Sequence, residues 1–509
     1  MTGDTETREI YVEGIARVAK GAGIIFAGTV FWGAGGYLYN IYLARVLGSA
    51  SYGLYSLGLA VFNIVSILSL VGMHSGLLRF VALYNSEKDQ SRIKGTVFSA
   101  LFIVTLVGIL LGGLLFFLAD VISISIFREK NLANVLRVFA VAIPFFGLMS
   151  VFVVSTQGFQ VMKYHVYVRN LWESIGKICF VTILFIAGFR LFGAVAAYLL
   201  TLVVSTVLAY SFLKRLFPIN RASIQPIFET RRLLIFSLPL FLVSVLQIGR
   251  MRADKLILGY FQSPHDVGLY TAAFQTSILA MMILNSFNAI FTPMISDLHN
   301  RNELRKLEDL LKTVTRWIVT LTLPIFLFLL FFSREILGVF GEQFVFASLC
   351  LKILVLGQMV NSGTGSVGSV LTMSGHPKIE LLNSFAAFAF EIPMCFVLIP
   401  QYGIMGAAMA AASALILLNI LRVIEVYAIL NIHPYKIDFI KPMAAGGILT
   451  LFLFFSRNQH FLKTDSFFAL IVCIFISLIL YVSFLFIFGL GQEDAFVLEK
   501  LKDKFVRTN

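Results

Sequence analysis

The chain has 509 residues, 59% of them hydrophobic and 13% charged, and 51 are phenylalanine. Soluble domains carry about 25% charged residues, and a water-soluble globule leaves too much of its chain in solvent to hide this much apolar surface. A soluble enzyme, a secreted disulfide scaffold, a nucleic-acid-binding domain and a disordered tail are thereby excluded. The formal charge of +13 fits basic loops facing an anionic leaflet better than it fits nucleic acid.

The first 20 residues mix Asp4, Glu6, Glu9 and Glu13 with Arg8, Arg17 and Lys20, unlike a signal peptide. Residues 1–19 therefore read as a cytoplasmic N-terminal segment. Apolar runs of roughly 20 residues, the length a bilayer demands, then recur about fourteen times. They are continuously apolar rather than alternating, so the protein is expected to be an all-α integral membrane protein. Six spans, centred near Val30, Ile64, Ile109, Phe146, Phe180 and Val203, make a first lobe, 20–213. A basic cytoplasmic linker, 214–232, leads to a second six-span lobe, 233–430. Its centres lie near Val243, Leu279, Leu323, Gln358, Phe390 and Ser413. Two C-terminal spans near Leu449 and Ser477 fill 431–490, and 491–509 is a cytoplasmic tail.

With the N-terminus inside, about two-thirds of the 40 lysines and arginines fall in inside connections, as the positive-inside bias requires. Both termini are expected in the cytoplasm, and the protein in the cytoplasmic membrane. Asn302 to Lys312 reads as an amphipathic helix lying on the interface. Gly33, Gly35 and Gly36 should break span one, the stretch 361–368 should break span ten, and Pro144, Pro239, Pro324 and Pro393 fall inside spans. Helix packing by small residues and hinges for rocking both account for them.

A weak repeat runs through the two lobes. Leu47-Gly48 followed by Gly53-Leu54-Tyr55 recurs as Leu258-Gly259 followed by Gly268-Leu269-Tyr270. Gly193-Ala-Val-Ala-Ala recurs at Gly406, and Gln157-Gly158 matches Ser374-Gly375, all at separations near 213 residues. Such pseudo-two-fold repeats mark transporter folds, with the substrate path expected between the lobes.

The segments Leu43 to Ser56, Gly72 to Ala82, Ala253 to Phe261 and Val267 to Ala273 resemble the oligosaccharide-lipid flippases. These polysaccharide-transport and O-antigen-type proteins belong to the multidrug/oligosaccharidyl-lipid/polysaccharide (MOP) exporter superfamily. The resemblance covers nearly the whole chain. It implies export of a polyprenyl-pyrophosphate-linked oligosaccharide for surface polysaccharide assembly, by alternating access. Membrane lipids, a coupling H+ or Na+ and the assembly machinery are the other implied partners.

Charged residues at bilayer depth are costly and mark candidate sites. Arg250, Arg252, Asp254 and Lys255 lie in span seven. Arg250 and Asp254 are spaced to pair, leaving Arg252 and Lys255 as a positive stripe for a pyrophosphate, or as snorkelling cations. Arg169, Glu173 and Lys177 form a four-and-four ladder in span five. A self-neutralising structural ladder is the favoured reading, with Lys177 as the second phosphate candidate. Arg45 and Arg79 sit at span ends, where snorkelling is the simpler account, while the resemblance adds a cavity role. Arg422 and Glu425 are spaced to pair locally. Glu391, an acid in an apolar span, is the leading ion-coupling candidate, followed by Asp254 and Glu173, while a hydrogen bond from Glu391 to carbonyls loosened by Pro393 accounts for it equally well.

Four cysteines without metal spacing imply no metal site, and no cofactor is expected. Two rivals stand beside the flippase. A cation-coupled drug antiporter of the same superfamily should carry more acidic cavity residues. A membrane-embedded polymerase or ligase should carry a large external loop and a nucleophile–base pair, so the chain is not expected to be an enzyme.

Overall fold

A computed structural model describes residues 2–219, 221–458 and 467–487. Every regular element among them is helical, as a lipid-embedded backbone must be when it has no water to bond. Eleven helices are long and apolar enough to cross a membrane, so the protein is a multi-pass membrane protein. The tail at 491–509 lies outside the described residues.

Helices α1 (Thr2–Leu70), α2 (Met73–Ser86), α3 (Gln90–Val121), α4 (Leu132–Gly158), α5 (Glu173–Ile186), α6 (Leu191–Leu216) and α7 (Thr230–Phe261) come first in the chain. They are followed by α8 (Pro264–Ser277), α9 (Met281–Asn300), α10 (Leu304–Phe331), α11 (Ser348–Gly363) and α12 (Pro377–Tyr402). Then come α13 (Ile404–Leu430), α14 (Ile440–Asn458) and α15 (Phe467–Ile487). Where the count of eleven falls below the fourteen expected runs, the causes are local. The runs near Val30 and Ile64 share α1, whose only non-helical residue is Gly48 at φ 74° and ψ 170°, a conformation that side chains with a Cβ avoid. The run near Phe180 is divided by a π-helical stretch, Val166–Trp172, ahead of the 14-residue α5. At the C-terminal end, Ile474–Ile487 is a shorter apolar helix.

Three expectations change. Gly33, Gly35 and Gly36 do not interrupt α1; instead, a Cβ at Gly35 would sit 3.2 Å from the Ser174 Cβ, so close packing explains that glycine. The segment 302–312 is no separate interfacial helix. It forms the first turns of α10, and its apolar stripe of Leu307 and Leu311 is fully buried with Phe291, Ile295 and Val370. The amphipathic pattern was real, but protein rather than lipid covers the stripe. Arg422 reaches across to Glu380 of α12, with Nε donating at 2.9 Å, and Glu425 accepts from Asn383 of the same helix. Both pairs are long-range, where the spacing suggested a local one. The break near 361–368 does occur: α11 ends at Gly363, and Gly365 at φ 66° packs on Thr315.

The chain divides into two compact units. The first holds residues 1–272 and 395–407, the second 273–394 and 408–509. In the first, an aromatic layer of Phe62, Phe139 and Tyr198, with ring centroids 5.3–5.6 Å apart, packs α1, α4 and α6 together. Inclined ring pairs of this kind add about 0.5–1.5 kcal/mol beyond area burial. In the second, Val319, Leu323 and Leu327 of α10 pack with Ala445, Leu449 and Leu453 of α14.

The linker 214–232 is not a loose basic loop. Lys94 is buried and its ammonium donates to the carbonyls of Arg221 at 2.8 Å and Ile224 at 2.9 Å. The Ile227 amide donates to Ser91 O at 3.0 Å, and a Cβ at Gly95 would collide with the Ile227 backbone. A residue that reads as one more inside charge therefore straps the linker to α3.

Candidate functional site

The first unit gathers most of the charged candidates. On α5 and the π-helical turn before it, the Glu173 carboxylate lies between Arg169, at 3.8 Å, and Lys177, at 3.4 Å. The Glu173 side chain is 8% exposed. A helix brings residues four apart onto one face, so this ladder follows from spacing alone. Its surroundings do not. Arg169 also donates to Ser150 Oγ at 2.9 Å and lies 5.0 Å over the Phe146 ring, while Lys177 lies 5.1 Å over Tyr198. Cation–aromatic contacts of this kind hold a charge in an apolar setting without neutralising it. The π-helical turn that carries Arg169 is itself a feature found often at functional positions.

On α7, Asp254 and Lys255 are buried and Arg252 is half-buried. The spacing allowed Asp254 to pair with Arg250, but its oxygens accept from the Tyr270 hydroxyl and from the Lys255 backbone N–H at 2.6 Å. Arg252 Nε is buried without a hydrogen-bond partner among the described residues. Tyr198 lies within electrostatic range of Arg169, Glu173 and Arg252 at once. The span-five ladder and Arg252 of span seven, parts of two separate patterns in the sequence, therefore both act on one tyrosine, the one that Lys177 faces. Taken along the two stretches, Arg169, Lys177, Arg252 and Lys255 outnumber Glu173 and Asp254. A dry site with surplus, partly unsatisfied cations favours an anion over a cation.

The other candidates lie elsewhere. Arg250 is half-buried on α7, and Arg45 is exposed three residues before Gly48. Arg79 is exposed on α2, 4.4 Å over the Phe236 ring, and lines a separate recess with Arg231 and Arg232. Glu391 is buried on α12, in the second unit. Sequence reasoning passed over Tyr198 and Tyr270 because neither is charged. The repeat did flag Tyr270, as the last residue of the second Gly-Leu-Tyr. Among the described residues, no group of three or more His, Cys, Asp or Glu is placed to hold a metal ion.

Comparison with known proteins places this arrangement in context. The sequence model of a family described as polysaccharide biosynthesis protein matches residues 18–299, and one described as MatE matches 239–397. A probable low-salt glycan biosynthesis flippase of Haloferax volcanii is 28% identical over 160 residues, 31% of this chain. The match spans about a third of that relative's length, 34%. A protein of Shigella flexneri assigned as an O-antigen transporter is 22% identical over 386 residues, covering 74% of this chain and 90% of the relative. Among solved structures, the lipid II flippase MurJ in an inward closed conformation superposes with a TM-score of 0.74 at 18% identity. That match covers 91% of this chain and 98% of MurJ. An inward-facing multidrug resistance transporter of the MATE family superposes with a TM-score of 0.66 at 17% identity, covering 79% of this chain and 94% of that one. At these identities the likenesses speak for the fold.

Proposed function

Because the chain belongs to the polysaccharide biosynthesis protein family, within the MOP exporter superfamily, we propose that it moves a polyprenyl-pyrophosphate-linked oligosaccharide from the cytoplasmic to the outer leaflet. The reading includes fourteen spans, as two six-span lobes at 20–213 and 233–430 plus two C-terminal helices. It places both termini in the cytoplasm and the protein in the cytoplasmic membrane, working by alternating access. The observation that carries it is the convergence of Lys177 and Arg252 on Tyr198. A pyrophosphate diester needs cations that its counter-carboxylates do not fully neutralise, and it needs them where water is scarce. Arg252, Lys177 and Lys255 are the proposed phosphate-contacting groups, with Arg250 on the same helix. Relatives named as a glycan flippase and an O-antigen transporter support the substrate class.

The test is the leaflet distribution of lipid-linked oligosaccharide in cells depleted of the protein. Intermediates stranded on the cytoplasmic leaflet are expected, and a normal distribution would overturn the reading. In rescue experiments the double substitution Lys177→Gln/Arg252→Gln should cut flipping by about tenfold or more, each charge-assisted contact to a phosphate being worth about 1.5–3 kcal/mol. Arg252→Gln alone, which leaves the Glu173 ion pairs intact, should lower flipping with melting near wild type.

The MatE match over 239–397 and the buried Glu391 favour a second reading, a cation-coupled antiporter for small molecules. Ion coupling fits either reading, with Glu391, a buried acid in an otherwise apolar span, the leading group, followed by Asp254 and Glu173. The Glu391→Gln variant should transport independently of the ion gradient or not at all. Unchanged gradient dependence would remove Glu391 from the mechanism. Export of organic cations with normal lipid-linked intermediates would favour the antiporter.

A further inference from the structure

A recess of about 870 Å³ opens in the first unit between α2 and the start of α7, lined by none of the residues gathered around Tyr198. Its lining joins three arginines, Arg79, Arg231 and Arg232, to an apolar wall that includes Leu83, Ile235 and Phe236. The acid in the lining is already engaged. Glu229 accepts from the Tyr84 hydroxyl and lies 3.3 Å from Arg232 and 3.6 Å from Arg92. Arg79 and Arg231 make no ion pair with any described residue. Two cations without a counter-carboxylate among the described residues, one of them resting on Phe236, therefore stand beside an apolar surface.

The walls of the recess are held in place. Gly72 and Gly76 bring α2 against Ser237 of α7, so closely that a Cβ at Gly76 would lie 2.9 Å from Leu233 Cδ1. The linker end is strapped to α3 through Lys94 and Ile227. Ile235 is 62% exposed and Phe228 60% exposed, next to Arg231 and Arg232. In a membrane protein, large apolar side chains exposed beside cations mark the level where acyl chains give way to phosphates. The volume is that of a small-molecule site, and the apolar wall offers a free phosphate ion nothing.

We infer that this recess holds an anionic phospholipid of the leaflet beside the 214–232 linker. Arg79 and Arg231 meet its phosphate, and an acyl chain lies along Ile235, Phe236 and Leu240. The bound lipid wedges α2 against α7 at the end of the unit where the linker arrives.

Native mass spectrometry of the full chain, purified in mild detergent and titrated with phosphatidylglycerol or phosphatidylcholine, tests this. One phosphatidylglycerol should be retained in preference to phosphatidylcholine. The Arg79→Gln/Arg231→Gln variant should lower that retention by about tenfold, from the loss of two basic contacts to an anionic lipid. Equal retention of the two lipids, or undiminished retention by the variant, overturns the inference. So does displacement by polyprenyl pyrophosphate, which would give the recess to the proposed transport substrate, or by inorganic phosphate, which would make it a plain anion site. Should the double variant fail to fold, Leu83→Trp fills the apolar wall with both arginines intact and should lower retention as well. Undiminished retention there also overturns the inference.

Discussion

The two copies of the Gly-Leu-Tyr motif, both inside helices, make the same kind of tie with different chemistry. In the first, the Tyr55 hydroxyl meets Tyr39, sixteen residues earlier, at 3.3 Å. In the second, the Tyr270 hydroxyl donates to Asp254, again sixteen residues earlier. One tie joins two neutral phenols and the other holds a carboxylate, although both sets of residues are buried. The two motifs also meet directly. A Cβ on Gly53 would lie 2.8 Å from the Gly268 nitrogen, and one on Gly268 would lie 3.2 Å from the Gly53 nitrogen. Ser49 Oγ and His265 Nδ1 close the contact at 2.6 Å. A repeat that is weak in sequence is thus strong where it touches itself, because the shared glycines permit a backbone approach that a side chain forbids. The divergence falls one layer deeper, where the second copy carries the charge and the first does not.

The glycine contact offers the harshest way to break this comparison. Gly53→Val and Gly268→Val should each lower the melting temperature of the purified protein by several degrees or more and abolish transport. Overpacking against backbone costs about 1–3 kcal/mol or more, and neither neighbour can rotate away. Wild-type melting of both variants would mean that the two helices do not pack as described.

A finer test separates the two ties. Tyr270→Phe leaves a buried carboxylate short of a donor and should cost about 1–3 kcal/mol, whereas Tyr55→Phe removes a neutral hydrogen bond worth about 0.5–1.5 kcal/mol. Denaturant or thermal unfolding of the two variants side by side should rank Tyr270→Phe as the more damaging. Asp254→Asn in the Tyr270→Phe background should recover part of the loss, since the stranded charge is gone. The reverse ranking would show that the charge in the second tie carries no extra cost.

The smallest effect concerns the segment 214–232. The Tyr84 hydroxyl donating to Glu229, with Arg92 and Arg232 beside it, holds that carboxyl below the usual carboxylate range. A depressed folded-state pKa means the tie contributes fully above the unfolded value of 4.5 and is lost as pH falls through the lower folded value. Protease nicking within 221–228 should therefore rise as pH falls below about 4.5. The Glu229→Gln variant should show that susceptibility already at neutral pH and little further change. A pH-independent wild type would remove Glu229 as the fastening.

Much of this protein could be read from its chain. The helices follow from long, continuously apolar runs, because a bilayer admits only helices and closed barrels and barrel strands alternate. The Arg169–Glu173–Lys177 ladder follows from 3.6 residues per turn, and the prolines at 144, 239 and 324 lie inside helices as the runs implied. These are local quantities, decided within a few residues of sequence. Pairing between elements is another matter. Nothing near Arg422 points to Glu380, nothing near Lys94 points to the Arg221 carbonyl, and the stripe of Leu307 and Leu311 is equally suited to lipid or protein.

The sequence by itself determined a multi-pass helical protein, its repeat and the residue types available for holding an anion. The tertiary structure alone decided which of those charges stay open. It closed Asp254 with Tyr270, gave Glu425 to Asn383 and brought Arg252 to the tyrosine that Lys177 covers. The physical reason is that a buried charge is governed by whichever groups surround it within a few ångströms, and in a helical bundle most of those arrive from distant parts of the chain.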